Sequence, residues 1–237
     1  MVIIITGASH TGKTVLAQRM LEKYKFSYLS IDHLKMGLIR SGNTKLTTQD
    51  DDQLTPYLWP IVREMIKTAI ENRQNIIVEG CYIPFDWRKD FDQEYLQDIN
   101  FICLALTDAY IDAHFAEIRE HASDIEARLD DSDCTVDWIK EENRRVIQGF
   151  EAAGEFVDLI DSDYQSIVEK ALLLIPDKIK KLIAEKEYTI DDMGKSGSSI
   201  LIFDDCVLKI LDSRLHNEES SVEVLNWLKG KLPVPEV

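Results

Sequence analysis

The chain has 237 residues, a hydrophobic content of 45% and a formal net charge of -16. That length allows one large domain, or one domain and a fragment, with enough apolar residues for a sizeable core. The acidic balance argues against broad nucleic-acid binding and against an anionic membrane surface, because both need a basic face. A single nucleotide needs only local positive groups and stays open.

Val2, Ile3, Ile4 and Ile5 form a continuous apolar run, the pattern of a strand buried on both faces. Gly7-Ala8-Ser9-His10-Thr11-Gly12-Lys13-Thr14 follows and fits G-x-x-x-x-G-K-[ST], the phosphate-binding P-loop. Leu16, Ala17, Met20, Leu21 and Tyr24 then recur at helical spacing. Strand, glycine loop and helix thus come in the order the motif requires. Gly7 and Gly12 let the backbone turn its N–H groups inward, so Ser9, His10 and Thr11 line a cradle for phosphate oxygens. The helix N-terminus adds partial positive charge. Lys13 supplies a mobile cation for the outer phosphates of ATP, and Thr14 supplies a hydroxyl for Mg²⁺.

Residues 26–31 read as a second strand, with Asp32 just beyond its carboxyl end, where α/β sheets place their ligands. Asp32 also fits a helix N-cap. A helix over residues 33–40 ends at Arg40, a candidate contact for an anionic acceptor. Residues 41–55 are polar and acidic and read as a loop. Pro60 suits the first turn of a helix running to about residue 72. Residues 75–78 form a third strand, closed by Glu79 and Gly80. Residues 81–87 form an aromatic loop. Tyr57, Trp59, Tyr82, Phe85 and Trp87 line a pocket there or anchor the core.

Residues 99–106 read as a fourth, buried strand and residues 108–121 as a helix. A charged segment, 122–133, separates this helix from the next, which Thr135 caps and which carries Arg144 and Arg145. Residues 156–160 give a fifth strand, and Asp163 caps a helix running to residue 175. Strands alternating with helices imply a mostly parallel α/β sheet. Near residue 185 the texture changes. Residues 188–192, 199–203 and 206–211 read as short antiparallel strands, followed by an amphipathic helix with Val222, Leu225, Trp227 and Leu228. The expected organisation is a P-loop domain over 1–176, a helical linker over 177–187 and a small β-plus-helix unit over 188–237.

The four cysteines form no C-x-x-C pair, and no stretch has the shape of a leader or a membrane span. A cytoplasmic protein is the expectation. No guanine-reading N-K-x-D occurs. A P-loop, a carboxylate after the second strand, an acidic group after the third and arginines near a lid follow in order. In these motifs the first 165 or so residues resemble the adenylate-kinase-like P-loop kinases, nearest the zeta-toxin and chloramphenicol-phosphotransferase branch. The resemblance implies a five-stranded parallel core, a mobile lid and MgATP-dependent phosphorylation of a hydroxyl or phosphate. It implies Asp32 as general base, Glu79 near Mg²⁺ or acceptor, and Arg119, Arg128 and Arg144 as lid cations over the phosphates. The rivals are an NTP hydrolase and a nucleotide-sensing module that turns nothing over.

Residues 188–237 resemble the start of an aminoglycoside-phosphotransferase-like lobe. The likeness rests on Gly194-Lys195-Ser196-Gly197-Ser198, on Val207-Leu208-Lys209-Ile210 and on Leu232-Pro233-Val234-Pro235. It implies a nucleotide contact for Lys209. The sequence stops before a catalytic loop, so this lobe is expected to phosphorylate nothing alone. A covering appendage or a homodimer contact is the plainer alternative.

Overall fold

The computed structural model describes residues 1–121, 134–172, 200–203 and 206–209. Two compact units are present, Met1–Asp177 and Lys178–Val237. Arg128, the charged segment 122–133, the linker 177–187 and the last helix lie outside the described residues. Of the second unit, β6 (Ile200–Phe203) and β7 (Cys206–Lys209) form an antiparallel pair with Phe203 opposite Cys206.

The first unit is built on five parallel strands: β1 (Val2–Gly7), β2 (Ser27–Ser30), β3 (Ile76–Glu79), β4 (Ile99–Leu106) and β5 (Asp158–Ile160). Their spatial order is β2-β3-β1-β4-β5. β1 is therefore central, with Ile5 in register with Glu79 on one side and Ile102 on the other. Side chains alternate across a strand, and β1 shows it. Val2 and Ile4 enter one apolar cluster, while Ile3 and Ile5 enter another on the opposite face. Helix α1 (Lys13–Tyr24) and α7 (Tyr164–Ala171) cover the second face through Leu16, Ala17, Met20, Val168 and Ala171. Helix α3 (Asp51–Glu71) covers the first through Leu54, Leu58, Val62 and Ile66. Helix α2 (Ile31–Arg40) follows β2 directly, and α4 (Gln93–Leu96) is a single turn before β4. Helices α5 (Asp108–Glu120) and α6 (Val136–Ala152) pack with β5 around Leu106, Ile111, Ile139 and Ile160.

Three sequence expectations change. The segment read as a loop over 41–55 gives way to helix at Asp51, because Asp51 and Asp52 favour the positive end of the helix dipole. Pro56 and Pro60 both lie inside this helix, so Pro60 does not mark its start. The helix after β2 is capped by the Ser30 hydroxyl, which accepts from the His33 amide, so Asp32 is not the cap. The aromatic residues mostly belong to the core: Trp59, Tyr82 and Trp87 are buried, and Trp87 stacks on Phe101. Thr135 caps α6 as expected by accepting from the Trp138 amide.

One buried polar side chain sets where α6 lies. Asn143 is fully buried. Its Oδ1 accepts from the Leu106 amide at 2.7 Å, and its Nδ2 donates to the Ile139 carbonyl at 2.8 Å. This joins α6 to the end of β4. Asn143→Ala leaves the Leu106 amide buried without its partner, at a cost of about 1–3 kcal/mol. The expected result is a lower urea midpoint with an unchanged m-value. An unchanged midpoint would show that this tie is not what holds α6.

Candidate active site

The site is assembled at the carboxyl ends of β1, β2 and β3. β1 ends at Gly7, whose φ is 140°, and a side chain there would collide with the Leu104 carbonyl of β4. Gly12 has φ 76°, starts α1, and a Cβ on it would collide with the Tyr164 hydroxyl of α7. Gly7 is thus required by shape as well as by backbone angle, while at Gly12 the backbone angle decides, since the Tyr164 side chain can give way. Between them the Ala8 carbonyl accepts from the Thr11 hydroxyl at 2.9 Å and from Lys13 Nζ at 2.6 Å.

Lys13 is buried. Burial alone would lower its pKa, but Cys81, Glu79, Glu142 and Asp32 around it outweigh that and hold it above the ordinary lysine value. The ammonium therefore stays charged through the neutral range. Thr14 donates to Glu79 at 3.4 Å, and Tyr28 donates to the other Glu79 oxygen at 2.8 Å. Glu79 is buried at the end of β3, so the strand register brings its carboxylate to the Thr14 hydroxyl.

Asp32 stands in the first turn of α2, half-buried, and is paired with Lys35 one turn on. Lys35 Nζ also donates to the Tyr82 hydroxyl at 2.9 Å, and that hydroxyl donates to Asp51 at 3.0 Å. Burial pushes the Tyr82 phenol up, with Asp51 and Asp32 adding to it, so it remains a proton donor. Cys81 lies beside this group. It keeps an exposed surface, yet the crowding of protein around it pushes its thiol up.

Helix α6 closes the other side. Glu142 accepts from the Ser9 amide at 3.3 Å and from the Ser9 hydroxyl at 3.5 Å. Trp138, one turn earlier, meets the His10 ring edge-on at 6.2 Å. Arg145 lies over the Phe85 ring at 5.9 Å. A carboxylate on a P-loop amide is a stand-in for an anionic oxygen, and the loop already holds one in the shape that phosphates need.

The sequence-derived residues are placed unevenly. Gly7, Ser9, His10, Thr11, Gly12, Lys13, Thr14, Asp32 and Glu79 come together. Arg40 is exposed at the far end of α2, eight residues beyond Asp32 and so about 12 Å along the helix axis. Arg144 is paired with Asp108 of α5, and Arg119 is exposed in the last turn of α5. Glu142, Lys35, Tyr82 and Asp51 were not singled out as site residues from the sequence. Their roles come from contacts over 31 to 133 positions, apart from the local Lys35–Asp32 pair.

Residues 2–145, more than half of the chain, match the family described as the AAA domain. The chain belongs to the AAA domain family. No curated protein matches it. This AAA domain is similar in structure to a gluconokinase from Sinorhizobium meliloti 1021, with 13% identity and a TM-score of 0.43, covering 78% of this chain and 97% of that one. It is also similar to the shikimate kinase from Aquifex aeolicus vf5, with 13% identity and a TM-score of 0.40, covering 78% of this chain and 99% of that one. A shikimate kinase from Bacteroides thetaiotaomicron gives 16% identity, a TM-score of 0.41, and coverage of 79% of this chain and 99% of that one.

The AAA domain residues fit a magnesium nucleotide. Loop amides and Lys13 suit phosphate oxygens, and the Thr14 hydroxyl and Glu79 present hard oxygen donors side by side. Among the described residues no three His, Cys, Asp or Glu side chains converge on a metal-sized site. Mg²⁺ there would be shared between Thr14, Glu79, water and the nucleotide, as is usual for this ion. Among the described residues no helix is long and apolar enough to cross a membrane.

Proposed function

We propose that the first unit is a P-loop kinase that transfers the γ-phosphoryl group of MgATP to the hydroxyl or phosphate of a small acceptor. One observation carries the reading. A buried, charged Lys13 on the P-loop faces the carboxylates of Asp32 and Glu79, delivered by the ends of β2 and β3. Phosphate-binding groups and proton-accepting groups thus share one cleft. The kinase names of the similar structures agree with this reading.

In the proposed reaction the loop amides, Lys13 and Thr14 bind and orient the triphosphate. Bound Mg²⁺ supplies neutralisation of the charge on the outer phosphate oxygens. Asp32 accepts the proton of the acceptor hydroxyl as its oxygen bonds to the γ-phosphorus. The bond from that phosphorus to the bridging oxygen breaks, and the electron pair leaves with ADP. Glu79 holds the Thr14 hydroxyl and is itself oriented by Tyr28. Arg119, Arg128 and Arg144 remain proposed lid cations, and Arg40 a proposed acceptor contact. For Arg144 this requires release from Asp108. The second unit is read as part of an aminoglycoside-phosphotransferase-like lobe, a proposal supported by its β6–β7 pair carrying Lys209.

The test is ADP release from MgATP against nucleosides, nucleotides, sugars and amino-alcohols. Release that depends on one acceptor supports the kinase. Release independent of any acceptor favours a hydrolase, and nucleotide binding without release favours a sensing module.

Glu142 gives a separate expectation. Its carboxylate occupies the Ser9 amide that a phosphate would use. Glu142→Ala is therefore expected to tighten MgADP binding by about tenfold, the worth of one hydrogen bond to a charged group. Calorimetric titration measures this, and unchanged or weaker binding would show that Glu142 does not compete with the nucleotide.

A further inference from the structure

The acceptor side of the cleft has a chemical bias. Lys35 donates to Asp32 and to the Tyr82 hydroxyl, and the Tyr82 hydroxyl donates to Asp51. Two of the three Lys35 N–H donors and the Tyr82 hydroxyl are therefore spent on partners inside this group. The Tyr82 hydroxyl both accepts and donates. Among the described residues, one oxygen on Asp32 and one on Asp51, the two ends of this group, stay uncommitted beside the third Lys35 N–H. Carboxylate oxygens only accept. A ligand meeting these ends must bring donors, as an alcohol or an ammonium group does. A carboxylate or phosphate brings acceptors to acceptors and negative charge to negative charge.

The charges around this point have the same sense. Among the described residues, Asp32, Asp51, Glu79 and Glu142 face two cations, Lys13 and Lys35. Lys13 is committed to the P-loop and Lys35 to Asp32. The remaining cation of α2, Arg40, stands more than two helical turns from Asp32.

Resting on the kinase reading, we propose that the acceptor is an alcohol without an anionic group, uncharged or amine-bearing, and that Lys35, Tyr82 and Asp51 determine this specificity. Lys35 and Tyr82 hold the two carboxylates in place, and the carboxylates take the donors of the ligand.

Cys81 is a built-in reporter, since it is exposed and adjoins Asp32, Glu79, Glu142 and Lys13. The full chain, saturated with MgADP, is treated separately with a trimethylammonium-ethyl and a sulfonatoethyl methanethiosulfonate. Modification of Cys81 is followed by peptide mass analysis. Each rate is divided by that of the same reagent with 2-mercaptoethanol. The cationic reagent is expected to be favoured by about tenfold or more, as a cleft of one sign concentrates the opposite charge. Lys35→Met should widen the ratio and Asp51→Asn should narrow it. Equal rates, or a preference for the sulfonate, would overturn the proposal. MgADP binding is measured on the same sample by calorimetry. Binding together with a sulfonate preference removes only the acceptor class. Absence of MgADP binding removes the kinase reading, and the proposal with it.

Discussion

Lys13→Met is expected to lower acceptor-dependent ADP release by about 10²–10³-fold, the usual loss when one positioned donor to developing charge is removed. Met keeps the length and apolar stem of lysine, so the buried passage through the loop stays filled. The lost group is the ammonium, which the surrounding carboxylates hold in its charged form. The Ala8 carbonyl keeps its bond from Thr11, so the loop retains an internal tie. Thermal unfolding is the control for the fold. Steady-state release at saturating MgATP gives the effect on turnover. A variant that folds and turns over normally would place the transferred phosphoryl group elsewhere.

Asp32→Asn carries the second large effect. Removing a general base costs about 10²–10⁴-fold in rate. Asn has nearly the same shape and can still accept from Lys35, but it cannot take up the acceptor proton. MgADP affinity is expected to hold, because Asp32 lies on α2 and is paired with Lys35 of the same helix. Loss of turnover with retained MgADP binding is the signature sought. If turnover holds, Asp32 orients the acceptor without taking its proton. If both are lost, its charge is instead part of what holds the nucleotide side together.

The parts of the site legible in the sequence are those whose position follows from a strand end. The apolar run at Val2–Ile5 announces a central strand, and the glycines after it announce the loop. Asp32 and Glu79 stand out because Asp32 follows β2 by two residues and Glu79 ends β3. Glu142 is different. Its approach to Ser9 depends on where α6 lies, and that follows from Asn143 meeting the Leu106 amide. Asn143 reads in the sequence as one polar residue among charged neighbours. Asp51 was obscured because three consecutive aspartates with a nearby proline suit a loop as well as a helix start. Only the packing of Leu54 and Leu58 under the sheet decides between them. The aromatic residues around β3 had two readings because burial is not encoded in residue type. Stacking of Trp87 on Phe101 assigns it to the core.

The P-loop occupies residues 7–14, but its walls come from much later in the sequence. Gly7 is pressed against Leu104, Ser9 meets Glu142, and Gly12 is covered by Tyr164. During synthesis the loop residues thus wait for more than a hundred later ones before their surroundings exist. Until β4 and α7 arrive, the loop glycines are unconfined and the cradle has no fixed shape. Contacts of such wide separation are slow to close. The proposed nucleotide site is therefore completed late in the folding of the first unit.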